Sequence, residues 1–543
     1  MNLNLIRNQL LIVLIALLLF VPFLGSVHLF DWDEINFAEC AREMIVTGNY
    51  FSVKINFQPF WEKPPLFIWM QALSMNMFGV NEFAARLPNA VCGVVTLLVI
   101  FNIGRKLYNQ KFAWIWVLAY VGSFLPHFYF KSGIIDPWFN LFIFSGIYYF
   151  ILFKNNENIR LLLLSALLIG FGILTKGPVS VLIVGVCITV YWISKKFEPV
   201  LNIKQITIYG FTIAFVGGLW FLLLIATGNS AIIKEFFMYQ VRLFSTQDSG
   251  HGGSFFYHWI ILLIGCFPMS VFALRAFKTN TFDTPYQKYF KLWMLILFWV
   301  VLILFSIVKT KIVHYSSLCY FPLSYLGAYS IYKMMNGELE WKKWNSILLM
   351  TIASIIGIVI SILPLLDKYK IQIIEANIIK DKFGLENIKA TVQWSGWEWW
   401  IGVGLIIGIA FMLMLIKKKQ LKKGVIGIFI VSLLTVNLAS IIITPRIELY
   451  SQNAAIEFYQ YLQDKDCYVE TIAFKSYAYL FYSRKKEQTN KNSVDIDWLL
   501  HEKIDKPAYF VCKITALEEV NQEYPNLKEI YRKNGFVFFV RVK

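Results

Sequence analysis

The 543-residue chain carries 51 Lys plus Arg against 34 Asp plus Glu, a net charge of +17, with 57% hydrophobic and only 16% charged residues. Soluble domains have about 25% charged and about 45–50% apolar residues, so this composition excludes an ordinary soluble globule, a disordered chain and a disulfide scaffold, and points to lipid as the main solvent. The seven cysteines form no C-x-x-C pair, and the basic residues are spread along the chain rather than gathered in one patch, so nucleic acid is not expected as a partner.

Apolar windows of about 20 residues, enough to cross roughly 30 Å of hydrocarbon, predict thirteen membrane spans. They fall at 5–27, 84–104, 112–130, 137–153, 160–174, 177–194, 207–227, 255–275, 290–308, 312–332, 345–365, 398–416 and 424–444. Arg7 precedes the first, which lacks a small-residue cleavage site and reads as a retained signal anchor. Lys and Arg cluster in the alternate loops on the side of Arg7, from Arg105-Lys106 to Lys422-Lys423, which places that side and the N-terminus in the cytoplasm. The long segments 28–83, 228–254, 366–397 and 445–543 then face outward.

In the first of these, Asp33 is expected to cap a helix through about Val46, stopped by Thr47-Gly48-Asn49, and Pro64-Pro65 to open a second helix from Leu66 to Phe78. Both are expected to lie along the membrane interface. The tail alternates helical stretches (Asn453–Gln463, Asp497–Glu502) with β-rich runs (Cys467–Phe474, Ala508–Ile514, Gly535–Val542). The expected architecture is therefore mainly α: a membrane bundle over 1–444 with outer interfacial helices, and a small α/β domain over 445–543. Cys467 and Cys512, in an oxidising compartment, could form a disulfide or stay as buried thiols.

Charge set against apolar surface at the outer face is costly unless it serves a partner. Four places qualify: Asp33-Glu34; Glu62-Lys63 ahead of Pro64-Pro65; Asp136 between Ile135 and Pro137; and Lys309-Thr310-Lys311 followed by His314 and Tyr315. Singly, each reads as a helix cap, a snorkelling lysine or a contact to membrane phospholipids. Together they supply what transfer of a sugar from a polyprenyl-phosphate carrier requires. The departing phosphate gains negative charge that fixed cations stabilise, and it leaves without being protonated, so one carboxylate suffices as base on the acceptor hydroxyl.

The run Asp33-Glu34, Ala38-Glu39, Ala41-Arg42-Glu43-Met44, then Glu62-Lys63-Pro64-Pro65-Leu66, Phe78-Gly79 and Ala85-Arg86-Leu87-Pro88, resembles the aminoarabinose transferase and protein O-mannosyltransferase group. The likeness continues through Asp136-Pro137, Leu174-Thr175-Lys176-Gly177-Pro178, His251-Gly252 and Lys309-Thr310-Lys311 with Tyr315 and Pro322, over roughly the first 330 residues. One departure is Asn36, where many aminoarabinose transferases have arginine.

The resemblance implies an integral-membrane glycosyltransferase of the GT-C fold. It would work at the periplasmic face of a bacterial inner membrane, moving a sugar from undecaprenyl phosphate to a lipid, glycan or protein hydroxyl; lipid A modification is one such reaction. It implies Asp33 as the catalytic acidic residue with Glu34 adjoining and Asp136 facing the same cavity. Lys63, Lys309, Lys311 and Tyr315 are implied to bind the carrier phosphate, with Lys176 either joining them or serving structure. Glu62 and His251 are implied as ligands where a divalent metal (Zn, Mg or Mn) is used. The rival reading is an envelope transporter or lipid flippase, which predicts inverted repeats and ionisable groups near mid-membrane.

Overall fold

Backbone inside lipid must satisfy its N–H and C=O groups within the segment, so the apolar runs fold as helices. The computed structural model describes residues 3–246, 252–278 and 283–543. After α1 (Leu3–Phe20), the first long loop folds into α2 (Asp33–Thr47), a short hairpin of β1 (Lys54–Ile55) and β2 (Gln58–Pro59), and α3 (Leu66–Phe78). There follow α4 (Glu82–Leu107), α5 (Gln110–Val121), α6 (Phe124–Tyr129), α7 (Asp136–Asn156), α8 (Ile159–Lys176), α9 (Val179–Ser194) and α10 (Ile203–Ala226). Then come α11 (Ala231–Ser245), α12 (Tyr257–Gly265), α13 (Met269–Ala273), α14 (Pro285–Ile307) and α15 (Tyr320–Met335). The rest of the bundle comprises α16 (Lys343–Lys368), α17 (Lys370–Glu375), α18 (Lys382–Ile388), α19 (Trp400–Lys417) and α20 (Leu421–Leu438).

Each of the thirteen apolar segments is helical, but not all as one straight span. Among the described residues nine helices are long and apolar enough to cross a membrane, ten if the bent pair Tyr257–Gly265 and Met269–Phe277, with a 107° angle between its arms, counts as one. The segment expected at 112–130 breaks at Gly122-Ser123 into α5 and α6, and that at 312–332 opens as a 3-10 helix (Val313–Cys319) before α15. Such breaks are tolerated where protein supplies the hydrogen bonds. Here Ser123 Oγ donates to the Ala119 carbonyl at 2.7 Å and the His127 N–H to Ser123 at 3.1 Å.

The first-loop helices depart from expectation in a way that bears on function. Asp33 is not the cap of α2 but its first residue; Trp32 holds the cap position without a side-chain bond, leaving the Asp33 carboxylate for other contacts. Nor does α2 lie against lipid, since every residue from Glu34 to Met44 is buried. It is wedged among α3, β1 and the tail helix α23 (Ala478–Tyr482). Its charges are paired inside the protein: Arg42 donates to both oxygens of Glu39 at 2.7 and 2.6 Å and to the Lys485 carbonyl at 2.8 Å. Burial, with Glu39 alongside, pushes the Glu43 carboxyl well above the usual carboxylate range.

Helix α20 continues through a π turn (Ala439–Ile443) into α21 (Thr444–Tyr450), so the helical run passes the expected boundary at 444. Proline lacks the N–H a helix interior needs, and the wider π turn lets Pro445 sit near the start of a fresh helical segment. After α22 (Asn453–Tyr461) the tail forms one sheet of β3 (Tyr468–Thr471), β4 (Ala508–Lys513), β5 (Lys528–Lys533) and β6 (Phe536–Arg541) in the order β3-β4-β6-β5. Strands β3 and β4 run parallel, and the other pairs antiparallel. One sheet face shares a core with the first loop, where Leu29, Phe37 and Phe67 meet Phe458, Tyr482 and Phe538. Cys467 packs in that core and Cys512 in the core on the opposite sheet face, so both are free thiols and the disulfide alternative falls away.

Candidate active site

A cavity of about 550 Å³ opens where the first turn of α2, the Glu62-Lys63 loop, the start of α9, helix α11 and the segment Val308–Tyr315 converge. Part of its wall is apolar, from Phe128, Val179, Leu182, Phe305 and Val308; part carries Asp33, Glu62, Lys63, Lys176 and His314. Gly177 makes this closure possible. It ends α8 with φ +93°, and a β-carbon there would lie 2.7 Å from the Phe236 ring of α11. Any other residue would lift the α11 roof.

The charged groups form a chain. Asp33, 29% exposed, lies 3.2 Å from His314 Nε2, and that nitrogen is 3.8 Å from Asp136 Oδ2. Asp136 is buried and accepts from Lys176 Nζ at 2.6 Å through Oδ1. The Lys176 ammonium also stands 5.0 Å from the Tyr315 ring centre and 5.5 Å from that of Phe139. Lys63 differs in having no carboxylate in ion-pair contact among the described residues; its ammonium rests 4.9 Å over the Tyr239 ring. Burial lowers its pKa below that of an ordinary lysine, against the pull of Glu62, Asp33 and Asp136 and with the help of Lys176. Lys63 is thus a cation held ready for an anion.

Three expected site residues are placed elsewhere in the chemistry. Glu34 reaches the cavity wall, but both its oxygens are committed: Arg86 donates to them at 3.1 and 2.8 Å, Phe30 N–H at 2.8 Å, and Gly133 N–H also bonds there. It is an internal clamp, not a free base. Lys311 is buried and its ammonium donates to the carbonyls of Phe305, Ser306 and Val308 at 3.0, 2.7 and 2.5 Å, closing the end of α14. Lys309 is exposed and does not line the cavity. Lys311→Met should therefore destabilise the protein by about 1–3 kcal/mol, through carbonyls left without donors, with the donor-substrate KM unchanged. Thermal melting set beside donor kinetics separates this from a phosphate-binding role.

Tyr315 and Glu62 do line the cavity, as expected. His251 lies outside the described residues, and among the described residues no group of three His, Cys, Asp or Glu is arranged to hold a metal ion. Sequence reasoning noted His314 but gave it no role, and it missed Trp32, Tyr239 and the Arg86 clamp. For Arg86 a signal existed, since a buried arginine at the mouth of an apolar span demands a partner. Tyr239 had none beyond the amphipathic pattern of its helix.

Parts of the sequence and the fold as a whole are similar to known proteins. A family model described as dolichyl-phosphate-mannose-protein mannosyltransferase matches residues 62–224. An undecaprenyl phosphate-alpha-4-amino-4-deoxy-L-arabinose arabinosyl transferase of Shewanella sediminis is 25% identical over 360 residues, 64% of each chain. A Proteus mirabilis enzyme of the same description is 27% identical over 323 residues, 58% of each chain. The chain thus spans less than two thirds of the length of these curated relatives. The crystal structure of ArnT from Cupriavidus metallidurans bound to undecaprenyl phosphate superimposes with a TM-score of 0.77 at 18% identity, covering 98% of both chains. The chain has the GT-C fold. It is a multi-pass membrane protein, and the resemblance first drawn from loop motifs is borne out. Past residue 330, where the motifs end, the later spans and the tail agree in architecture, since the superposition covers 98% of the chain.

Proposed function

We propose that this protein is an integral-membrane glycosyltransferase that moves a sugar from undecaprenyl phosphate, or a related polyprenyl phosphate, to a hydroxyl of a lipid, glycan or protein. One observation carries the reading. The wall of a single, partly apolar cavity holds a partly exposed carboxylate, Asp33, and a cation, Lys63, without a carboxylate in ion-pair contact among the described residues. The apolar wall suits the first isoprene units, and Lys63 the phosphate. Asp33 takes the proton of the acceptor hydroxyl as its oxygen bonds to the anomeric carbon and the bond from that carbon to the phosphate oxygen breaks. The leaving phosphate goes from one negative charge toward two, and Lys63 stabilises the gain. A single displacement of this kind inverts the anomeric centre.

The bacterial inner membrane, with the N-terminus cytoplasmic and the cavity and tail periplasmic, is part of the proposal and follows from the Lys and Arg loop bias. Glu62 lines the cavity and, together with His251, would be a ligand where a divalent ion is used; the scheme above assigns roles to side chains alone. The direct test is transfer of label from a panel of undecaprenyl-phosphate sugars to extracted envelope fractions by the purified protein. Lipid translocation without any transfer would instead make it a transporter.

Lys63→Ala should raise the donor KM roughly 10- to 100-fold, the worth of one charge-assisted contact, with a smaller loss in kcat. The sign of its pH dependence follows from the lowered pKa. Lys63 is charged below that pKa and loses its proton as pH rises through it, so donor binding weakens on the alkaline side earlier than an ordinary lysine would dictate. Lys63→Arg, which stays charged, should move that limb to higher pH. Initial-rate kinetics over the alkaline range would read both effects.

A further inference from the structure

His314 stands between Asp33, which lines the cavity, and Asp136, which is buried and does not line it. Its Nε2 is 3.2 Å from Asp33 Oδ2 and 3.8 Å from Asp136 Oδ2, with the side chain 13% exposed. A lone pair at Nε2 would face two anions, so this nitrogen carries a proton. One N–H serves one acceptor at a time, and the shorter ion-pair contact is the one to Asp33. Asp136 Oδ2 is then left buried without a hydrogen-bond partner among the described residues, although Lys176 holds the other oxygen of the same carboxylate. A buried carboxylate oxygen without a donor, 3.8 Å from an N–H engaged elsewhere, is the second position of a two-position contact.

We propose that His314 is a positioning residue whose Nε2–H is shared in turn by two carboxylates: it holds Asp33 while Asp33 is ionised, and turns to Asp136 once Asp33 has taken the acceptor's proton. The inference rests on the glycosyl-transfer reading for its second half. The acceptor O–H bond breaks and an Asp33 O–H bond forms, while His314 neither gains nor loses a proton. Before reaction the contact occupies Oδ2 of Asp33, leaving Oδ1 to accept from the acceptor. After reaction Asp33 is neutral and Asp136 is the anion that needs the donor. The other charged or titratable groups around the ring are Lys176 and Lys63 on the cavity side, and His258 and Lys311 behind it.

His314→Ala should lower kcat about 10- to 100-fold with the donor KM within twofold. His314→Gln, whose amide N–H reaches the same place, should restore most of the rate. A packing role would lower the yield and melting temperature of His314→Ala with its rate per folded molecule unchanged, or leave His314→Gln as slow as His314→Ala, and either result overturns the proposal. A second measurement needs no turnover. In protein labelled with 15N-histidine, the His314 signal, assigned by its loss in His314→Gln, should show a protonated Nε2 and keep it in Asp33→Asn. An unprotonated Nε2 overturns the arrangement whatever the transfer assay gives. A wild-type protein that transfers no sugar removes the glycosyl-transfer reading and the acceptor half of this one, while the 15N spectrum alone still decides the shared donor.

Discussion

Replacing Asp33 by Asn should lower turnover by about 10²- to 10⁴-fold, the usual contribution of a positioned general base. Folding should be untouched. Asp33 is the first residue of α2, 29% exposed, and its one ion-pair contact among the described residues is to His314. Asparagine is isosteric and still accepts a hydrogen bond from the imidazole, but it cannot take a proton from the acceptor hydroxyl. Donor binding should persist, because Lys63 and the apolar wall remain. The measurement is single-turnover transfer at saturating donor, beside donor binding and a thermal melt of both proteins. Undiminished single-turnover transfer would falsify the assignment of Asp33 as the base.

Glu34→Ala, one residue along, should fail in the opposite way. Its carboxylate is 3% exposed and ties three separate stretches together, taking bonds from Arg86 on α4, Phe30 ahead of α2, and Gly133. Arg86 in turn donates to the carbonyls of Leu24 and Val27 at 3.0 and 2.7 Å and of His28 at 2.9 Å. Truncation leaves a buried guanidinium without its countercharge and two backbone N–H groups without acceptors. Breaking a buried pair from one side costs about 3–5 kcal/mol, a large part of a typical folding free energy. The variant should be recovered in low yield and melt well below the wild type. If it melted normally and lost only turnover, Glu34 would belong to the chemistry after all.

These neighbours show how far a sequence can be read. Composition and periodicity located every apolar segment, because lipid leaves a backbone few options. The loop motifs named the stretches that build the cavity, and Asp33, Lys63, Lys176 and Tyr315 all line it. What sequence did not carry was partnership. Glu34 and Asp33 look alike until Arg86 arrives from 52 residues away. Lys311 resembles a phosphate ligand until its ammonium is seen to close α14, only three to six residues back. His314 gained meaning only when α2 and α7 brought a carboxylate to each side of it. Charge is visible along the chain, but whether a charge is already neutralised is a property of the fold.

The core that the tail shares with the first loop has a consequence in time. The Leu29 N–H donates to the Tyr482 hydroxyl at 2.6 Å, a contact that joins positions 453 residues apart. At roughly 5–20 residues per second of synthesis, the loop bearing Asp33 waits on the order of half a minute to a minute and a half for the segment that completes its packing. Through that interval its buried charges on α2 lack the Lys485 carbonyl and the tail's apolar face. The end of the molecule that carries the cavity therefore completes its packing only once the tail is made, and a ribosome that stalls before Tyr482 leaves a membrane-inserted chain with an unfinished cavity.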